Sequence, residues 1–307
     1  MKYILFVCLF SLFQGVSDPG IIFISTDQGV TWKNTSNGLP ADAKVGLGAI
    51  ALANGELAVT VKNHGIYRYN FALQQWRDVP TDVQIVRANP AALIFFNKGI
   101  FVGTQFAGVF YSMDNAVHWQ NVSKGLASQT IRRFAAIDGQ LYAGTNAGLY
   151  VYREKERDWV LEYGNDGLQV NGVAVNRGAI IIATNQGAFK GAGGKWQAVL
   201  SGHSLHNISV VGERIYAMTY NELFVSADKG MSWQSIQKGM PVNLYTFNVA
   251  ESGGRVLAGQ WDGVYRWEDV KQEWRVWGKG LPVKYAITNM KVSDEMIVVS
   301  GSEGISR

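Results

Sequence analysis

The chain has 307 residues, 47% of them apolar and 17% charged, which are the proportions of a globular protein and not of a disordered or fibrous one. Twenty-eight basic against 24 acidic residues leave a formal charge of +4, and no basic run exceeds the pair Arg132-Arg133. Nucleic-acid binding needs a concentrated basic face, which the linear sequence lacks.

Residues 1–17 have the make-up of an export signal. Lys2 supplies the positive start, Tyr3 to Phe13 an apolar stretch, and Gly15 and Ser17 the small residues preceding a cut before Asp18. The apolar stretch is eleven residues long, short for a membrane span, and no longer apolar run follows it. Cys8 is the single cysteine and leaves with this segment. The mature chain, 18–307, is therefore expected to be secreted or periplasmic, one domain, and free of disulfide or thiolate chemistry.

A repeat of about 40 residues fills the rest. Seven tryptophans recur in register, Trp32, Trp76, Trp119, Trp159, Trp196, Trp233 and Trp274, at intervals of 44, 43, 40, 37, 37 and 41. Before most of them stands a Gly-apolar-aromatic step such as Gly65-Ile66-Tyr67 or Gly148-Leu149-Tyr150. Between each tryptophan and the next such glycine lie two apolar runs joined by a turn such as Asn54-Gly55 or Asp138-Gly139, dipeptides suited to two-residue hairpins. Each unit thus reads as four short strands, A to D, with A and B flanking the turn, C following the glycine and D carrying the tryptophan. One such sheet cannot bury both faces, whereas seven packed radially can. The expectation is an all-β, seven-bladed β-propeller with the tryptophans packed between blades. The chain opens with a C–D pair, Ile21 to Thr35, and closes with an A–B hairpin, Tyr285 to Ser300. The two ends are expected to share the last blade.

Three segments carry a sharper motif. Ser25-Thr26-Asp27-Gln28-Gly29-Val30-Thr31-Trp32 matches S-x-D-x-G-x-T-W in full. Ser226, Asp228, Gly230, Ser232 and Trp233 repeat it with Ser for Thr, and Ser112, Asp114, Ala116 and Trp119 form a decayed copy. The carboxylates can accept backbone N–H groups and fix the C–D turn, while glycine permits its positive φ. On these residues the mature chain resembles the Asp-box (BNR) propellers, a group that includes sialidases, other glycosidases and non-enzymatic modules. The Arg-Ile-Pro motif that a sialidase resemblance would bring is missing. The size, the signal and the boxes are similar to propellers like the photosystem II stability/assembly factor. Ala143 to Tyr150 and the later Asn165-Asp166-Gly167-Leu168 look like sensor propellers of two-component regulators.

No phosphate-cradling loop and no G-x-S-x-G elbow occurs, and no cofactor is expected. His203 and His206 are three apart, which in a strand points them to opposite faces and argues against a metal site. Function is expected on the face shared by the B–C and D–A loops. Aligning the B–C loops places Phe106, Tyr220 and Trp261 where other blades have Asn or Ser, with His64 and Asp262 at the neighbouring position. Arg132, Arg133, Tyr245 and Tyr285 start A strands near that rim. Aromatic and polar groups converging there would suit a protein or glycan partner. The rival reading is a glycan hydrolase drawing carboxylates from Asp262, Glu222 or Glu303 on the same face.

Overall fold

The computed structural model describes residues 20–242 and 245–303. The segment expected to be an export signal, 1–17, lies outside the described residues. Seven four-stranded antiparallel sheets form the blades of a propeller. Blade 1 comprises Ile50–Ala53, Glu56–Val61, Gly65–Asn70 and Gln75–Val79, in the order A to D. The A strands of the next six blades are Pro90–Phe96, Ile131–Ile137, Val170–Asn176, Leu205–Val211, Thr246–Ser252 and Tyr285–Val292. A strands of successive blades touch one another all round the ring and so surround the axis. One short helix, Val83–Arg87, sits in the connection from blade 1 to blade 2, where the Asp82 carboxylate accepts from Gln84 N at 2.7 Å.

The turns form as their residues dictate. Asn54 and Gly55 take φ of 52° and 75°, and Asp138 and Gly139 take 48° and 73°, the paired positive values of the tightest hairpins. The recurrent glycine before strand C is needed for space as well as for torsion. Gly187 has φ of +129°, and a Cβ there would meet the Leu200 carbonyl oxygen at 2.2 Å.

The ring closes as expected, with the N-terminal strand inserted into the last sheet. Ile22 pairs with Ser300, Phe23 with Val299, Ile24 with Val298 and Ser25 with Ile297. Ile22 packs with Val59 and Trp76 of blade 1, while Phe23 packs with Tyr285 and Leu257 of blades 7 and 6. This one strand therefore serves two blade interfaces.

The three S-x-D turns share one geometry. Ser25 Oγ donates to Asp27 Oδ1 at 2.8 Å and accepts from Gly29 N at 2.8 Å. Asp27 in turn accepts from Thr31 N at 2.8 Å and Thr31 Oγ1 at 2.6 Å. Ser226, Asp228, Gly230 and Ser232 repeat these bonds, and hydrogen bonds from the Ser232 hydroxyl and then its N–H pull the Asp228 carboxyl down to about 2. In the decayed copy His118 replaces Thr, its Nδ1 meeting Asp114 Oδ2 at 2.6 Å, and Ala116 tolerates φ of 69°.

The tryptophan series is less uniform than the repeat implies. Trp32, Trp76, Trp159 and Trp274 are buried, whereas Trp119, Trp196 and Trp233 are only half-buried. In the S-x-D blades the tryptophan precedes a two-residue D strand, for example Lys33–Asn34, and does not lie within it. A glycine socket separates the two groups. Trp76 N donates to Asn37 O, Trp159 N to Lys124 O, Trp274 N to Lys238 O and Trp32 N to Lys279 O, each at 2.8 Å. The following residue is always glycine, and a Cβ on Gly38, Gly125, Gly239 or Gly280 would lie 2.0–2.3 Å from that tryptophan's carbonyl oxygen. The three half-buried tryptophans have no such socket among these contacts.

Candidate functional site at the propeller mouth

Six A strands carry a one-residue bulge near their start, where the chain enters from the D–A loop. A bulge bends the strand and re-aims the extra side chain. The extra residues are Ala91, Arg132, Asn171, His206, Phe247 and Thr288, one in each of blades 2 to 7. All but Thr288 line a single cavity of about 320 Å3 at the B–C and D–A end of the axis. Leu47, Gln105, Thr130, Ile131, Arg133, Tyr220 and Tyr245 complete its wall.

Two arginines form its cationic side. Asn171 fixes both: its Oδ1 accepts from Arg132 Nε, and its backbone oxygen accepts from Arg133 Nε at 2.8 Å. Arg132 Nη1 also donates to Asn146 Oδ1 at 2.9 Å. Burial, then repulsion from Arg132, pushes the Arg133 guanidinium down to about 10, so it stays charged at neutral pH. Among the described residues no Asp or Glu lines this cavity.

Aromatic rings form the other side. The His206 ring lies 5.4 Å from Tyr220, 5.9 Å from Tyr245 and 5.9 Å from Phe247. Trp261 stacks on Phe247 at 5.8 Å and meets Tyr245 edge-on at 5.8 Å. The Tyr220 and Tyr245 hydroxyls make no hydrogen bond among the described residues, leaving polar tips free at an apolar wall. His206 Nε2 donates to Thr246 O at 2.7 Å, while Nδ1 is buried without a partner among the described residues.

Burial holds His206 neutral by pushing its pKa down from 6.5 to about 4. The folded state therefore takes up its proton later than the unfolded chain on acidification. Stability linked to this group is complete above about pH 6.5 and is lost as pH falls towards 4, a loss of order 2–3 kcal/mol. Chemical denaturation of wild type and His206→Gln across pH 4–7 is expected to show this slope only in wild type. Parallel curves would contradict it.

Asparagines next to the bulges tie blade to blade. Asn207 Nδ2 donates to Phe247 O at 2.8 Å, Asn248 Nδ2 to Ile287 O at 3.2 Å and Asn289 Nδ2 to Gly46 O at 2.8 Å. Arg133 takes the equivalent position in blade 3. These bonds cross the ring next to the cavity and hold its wall in place.

Of the rim residues expected from sequence, Arg132, Arg133, Tyr220 and Tyr245 meet at this cavity, and Trp261 backs it. Phe106 stands on a B–C loop at 71% exposure and does not line the cavity, although its neighbour Gln105 does. His64 is turned towards Asp42, its Nε2 lying 2.9 Å from Asp42 Oδ1. Asp262 accepts from the Tyr265 hydroxyl at 3.1 Å, and its other oxygen is buried. The expectation for Tyr285 is corrected: it is fully buried, stacks edge-on against Phe23 at 5.2 Å, and donates its hydroxyl to Ile21 O at 2.6 Å. In a strand, one position separates core from rim, and Tyr285 falls on the core side. The B–C end lies opposite the S-x-D turns, since Asp228 and Lys229 share a crevice with Arg177 and Glu213 of A–B hairpin tips.

The sequence reading missed Asn171, Phe247 and the mouth position of His206. The recurrence of Asn207, Asn248 and Asn289 at intervals of 41 was the available clue.

No family model and no curated protein matches the chain. Solved structures do. The extracellular domain of a putative one-component system from B. thetaiotaomicron superposes with a TM-score of 0.71 at 15% identity, over 91% of this chain and 39% of that one. The chain thus spans about two fifths of that extracellular domain. YCF48 bound to D1 peptide gives 0.67 at 12% identity, covering 86% of this chain and 91% of that one. PorZ, a surface component of the type-IX secretion system of Porphyromonas gingivalis, gives 0.58 at 15% identity, over 85% and 36% of the two chains. No helix among the described residues is long and apolar enough to cross a membrane. At these identities the likeness is one of fold, and the chain is a seven-bladed β-propeller.

Proposed function

We propose that the chain is an exported, non-catalytic binding module of the Asp-box type, and that its mouth takes a segment of a partner protein. The observation that carries this reading is the cavity built from strand bulges, with Arg132 and Arg133 facing Tyr220 and Tyr245. Fixed guanidinium groups beside aromatic rings with free polar tips are the side chains that dominate protein recognition. Among the described residues no carboxylate lines the cavity, and the reading assigns it no hydrolytic pair. Solved relatives by fold include extracellular domains and a propeller bound to a peptide, which supports an extracytoplasmic protein-binding role. Phe106 and Trp261 would extend the contact along the rim, and the Asp boxes would remain structural.

The test is affinity capture from the extracytoplasmic fraction of the source cells, followed by affinity measurement on the recovered protein. Tyr220→Ala/Tyr245→Ala is expected to keep the wild-type melting temperature within about 2 °C while weakening binding roughly 30-fold, the loss of one hot spot. Binding that survives this change but is lost on altering Lys229 and Met231, at the other end, would place the partner elsewhere.

A further inference from the structure

At the opposite end of the axis the A strands surround a second cavity, of about 730 Å3. One level of its wall, two residues past the position that follows each bulge, is formed by Ile94, Ala135, Ala174, Ser209 and Ala250, with Lys291 as the exception. The small residues opposite Lys291 are what leaves the space open. Arg133, one pleat nearer the mouth, lines this cavity as well as the other.

Neither cation has a counter-ion among the described residues. Every ion pair within 4.0 Å among the described residues involves other side chains. Lys291 Nζ and the two terminal nitrogens of Arg133 make no hydrogen bond among the described residues, and neither does the Ser209 hydroxyl. Both side chains are half-buried and line the channel. Burial, then the charge of Arg133, pushes Lys291 down to about 8. Asp138 and Glu251 also border the cavity, but they are exposed at its outer lip, where solvent and salt screen them.

Two positive charges partly withdrawn from bulk water and close enough to repel each other favour an anion between them. The space is of the size that small ligands occupy. We propose that this end of the channel binds a small oxyanion, a phosphate or a carboxylate, between Lys291 and Arg133, with the Ser209 hydroxyl as a further donor. Lys291 and Ser209 lie outside the mouth, so this site stands or falls separately from the partner-binding reading.

Calorimetric titration of the whole protein with inorganic phosphate and, separately, with citrate tests it, at fixed ionic strength and pH 7. Saturable binding is expected for at least one probe, and the two arms tell phosphate chemistry from carboxylate chemistry. Lys291→Met is expected to weaken it at least roughly tenfold, and Lys291→Arg, which keeps the charge, to bind within a few-fold of wild type. Thermal melting of both variants checks that the ring is intact. No saturable heat with either probe up to about 10 mM, a weakness beyond any useful affinity, would overturn the proposal. Binding by a folded Lys291→Met protein within twofold of wild type would also overturn it.

Discussion

Deleting residues 20–36 is expected to unfold the whole ring and not merely to fray one blade. The segment supplies two of the four strands of blade 7, and Ile22 to Ser25 pair with Ile297 to Ser300. Without it the Ile297–Glu303 strand becomes a raw edge, and both neighbouring blades lose their packing partner. Ile22, Phe23 and Trp32 are buried against blades 1, 6 and 7. At about 1.5–3 kcal/mol each they supply a large share of the 5–15 kcal/mol that holds an ordinary domain together. Circular dichroism and calorimetry should show no cooperative transition in the deleted chain. A sharp transition near the wild-type temperature would mean that the ring does not depend on its two ends.

The second large effect is expected at Trp274. Its ring is 1% exposed, its Nε1 donates to Ile236 O at 2.7 Å, and its backbone seats on Gly239. Trp274→Ala removes the side chain and leaves the Ile236 carbonyl unpaired in a blade interface. The expected loss is about 3–5 kcal/mol, or roughly 6–10 °C in melting temperature for a domain of this size. Gly239→Ala should approach it from the other side, since its φ is +88° and a Cβ would meet Trp274 O at 2.1 Å. Trp233→Ala, at a half-buried position without the glycine socket, should lose clearly less. Equal losses at 233 and 274 would show that the socket is irrelevant.

The fold was legible because it is periodic. Trp32 to Trp274 count the blades, Asn54-Gly55 and its counterparts mark the hairpins, and the orphan strand pairs at the two ends announce the closure. Periodicity also hid part of the structure. Aligning seven tryptophans suggested seven equal roles, yet the Gly38, Gly125, Gly239 and Gly280 sockets, one loop earlier, decide which are buried.

The mouth was half legible. Subtracting the repeat from the B–C loops found Tyr220 and Trp261, and position near strand starts found Arg132, Arg133 and Tyr245. The bulge residues escaped because a bulge leaves no composition of its own: Ala91, Asn171, His206 and Phe247 share a place but no chemistry. Tyr285 was misplaced for the same reason. It begins a strand as Tyr245 precedes one, but a step of one residue in a pleated strand exchanges rim for core.

The mouth is proposed as the face that meets a partner. The most direct measurement places a photo-crosslinking amino acid at position 220, inside the mouth, or at position 229, beside the Asp-box turn at the far end. Each protein is then irradiated in the source cells. A discrete crosslinked species at 220 that is missing at 229 is the predicted result. The same species from both positions, or from 229 alone, would contradict it.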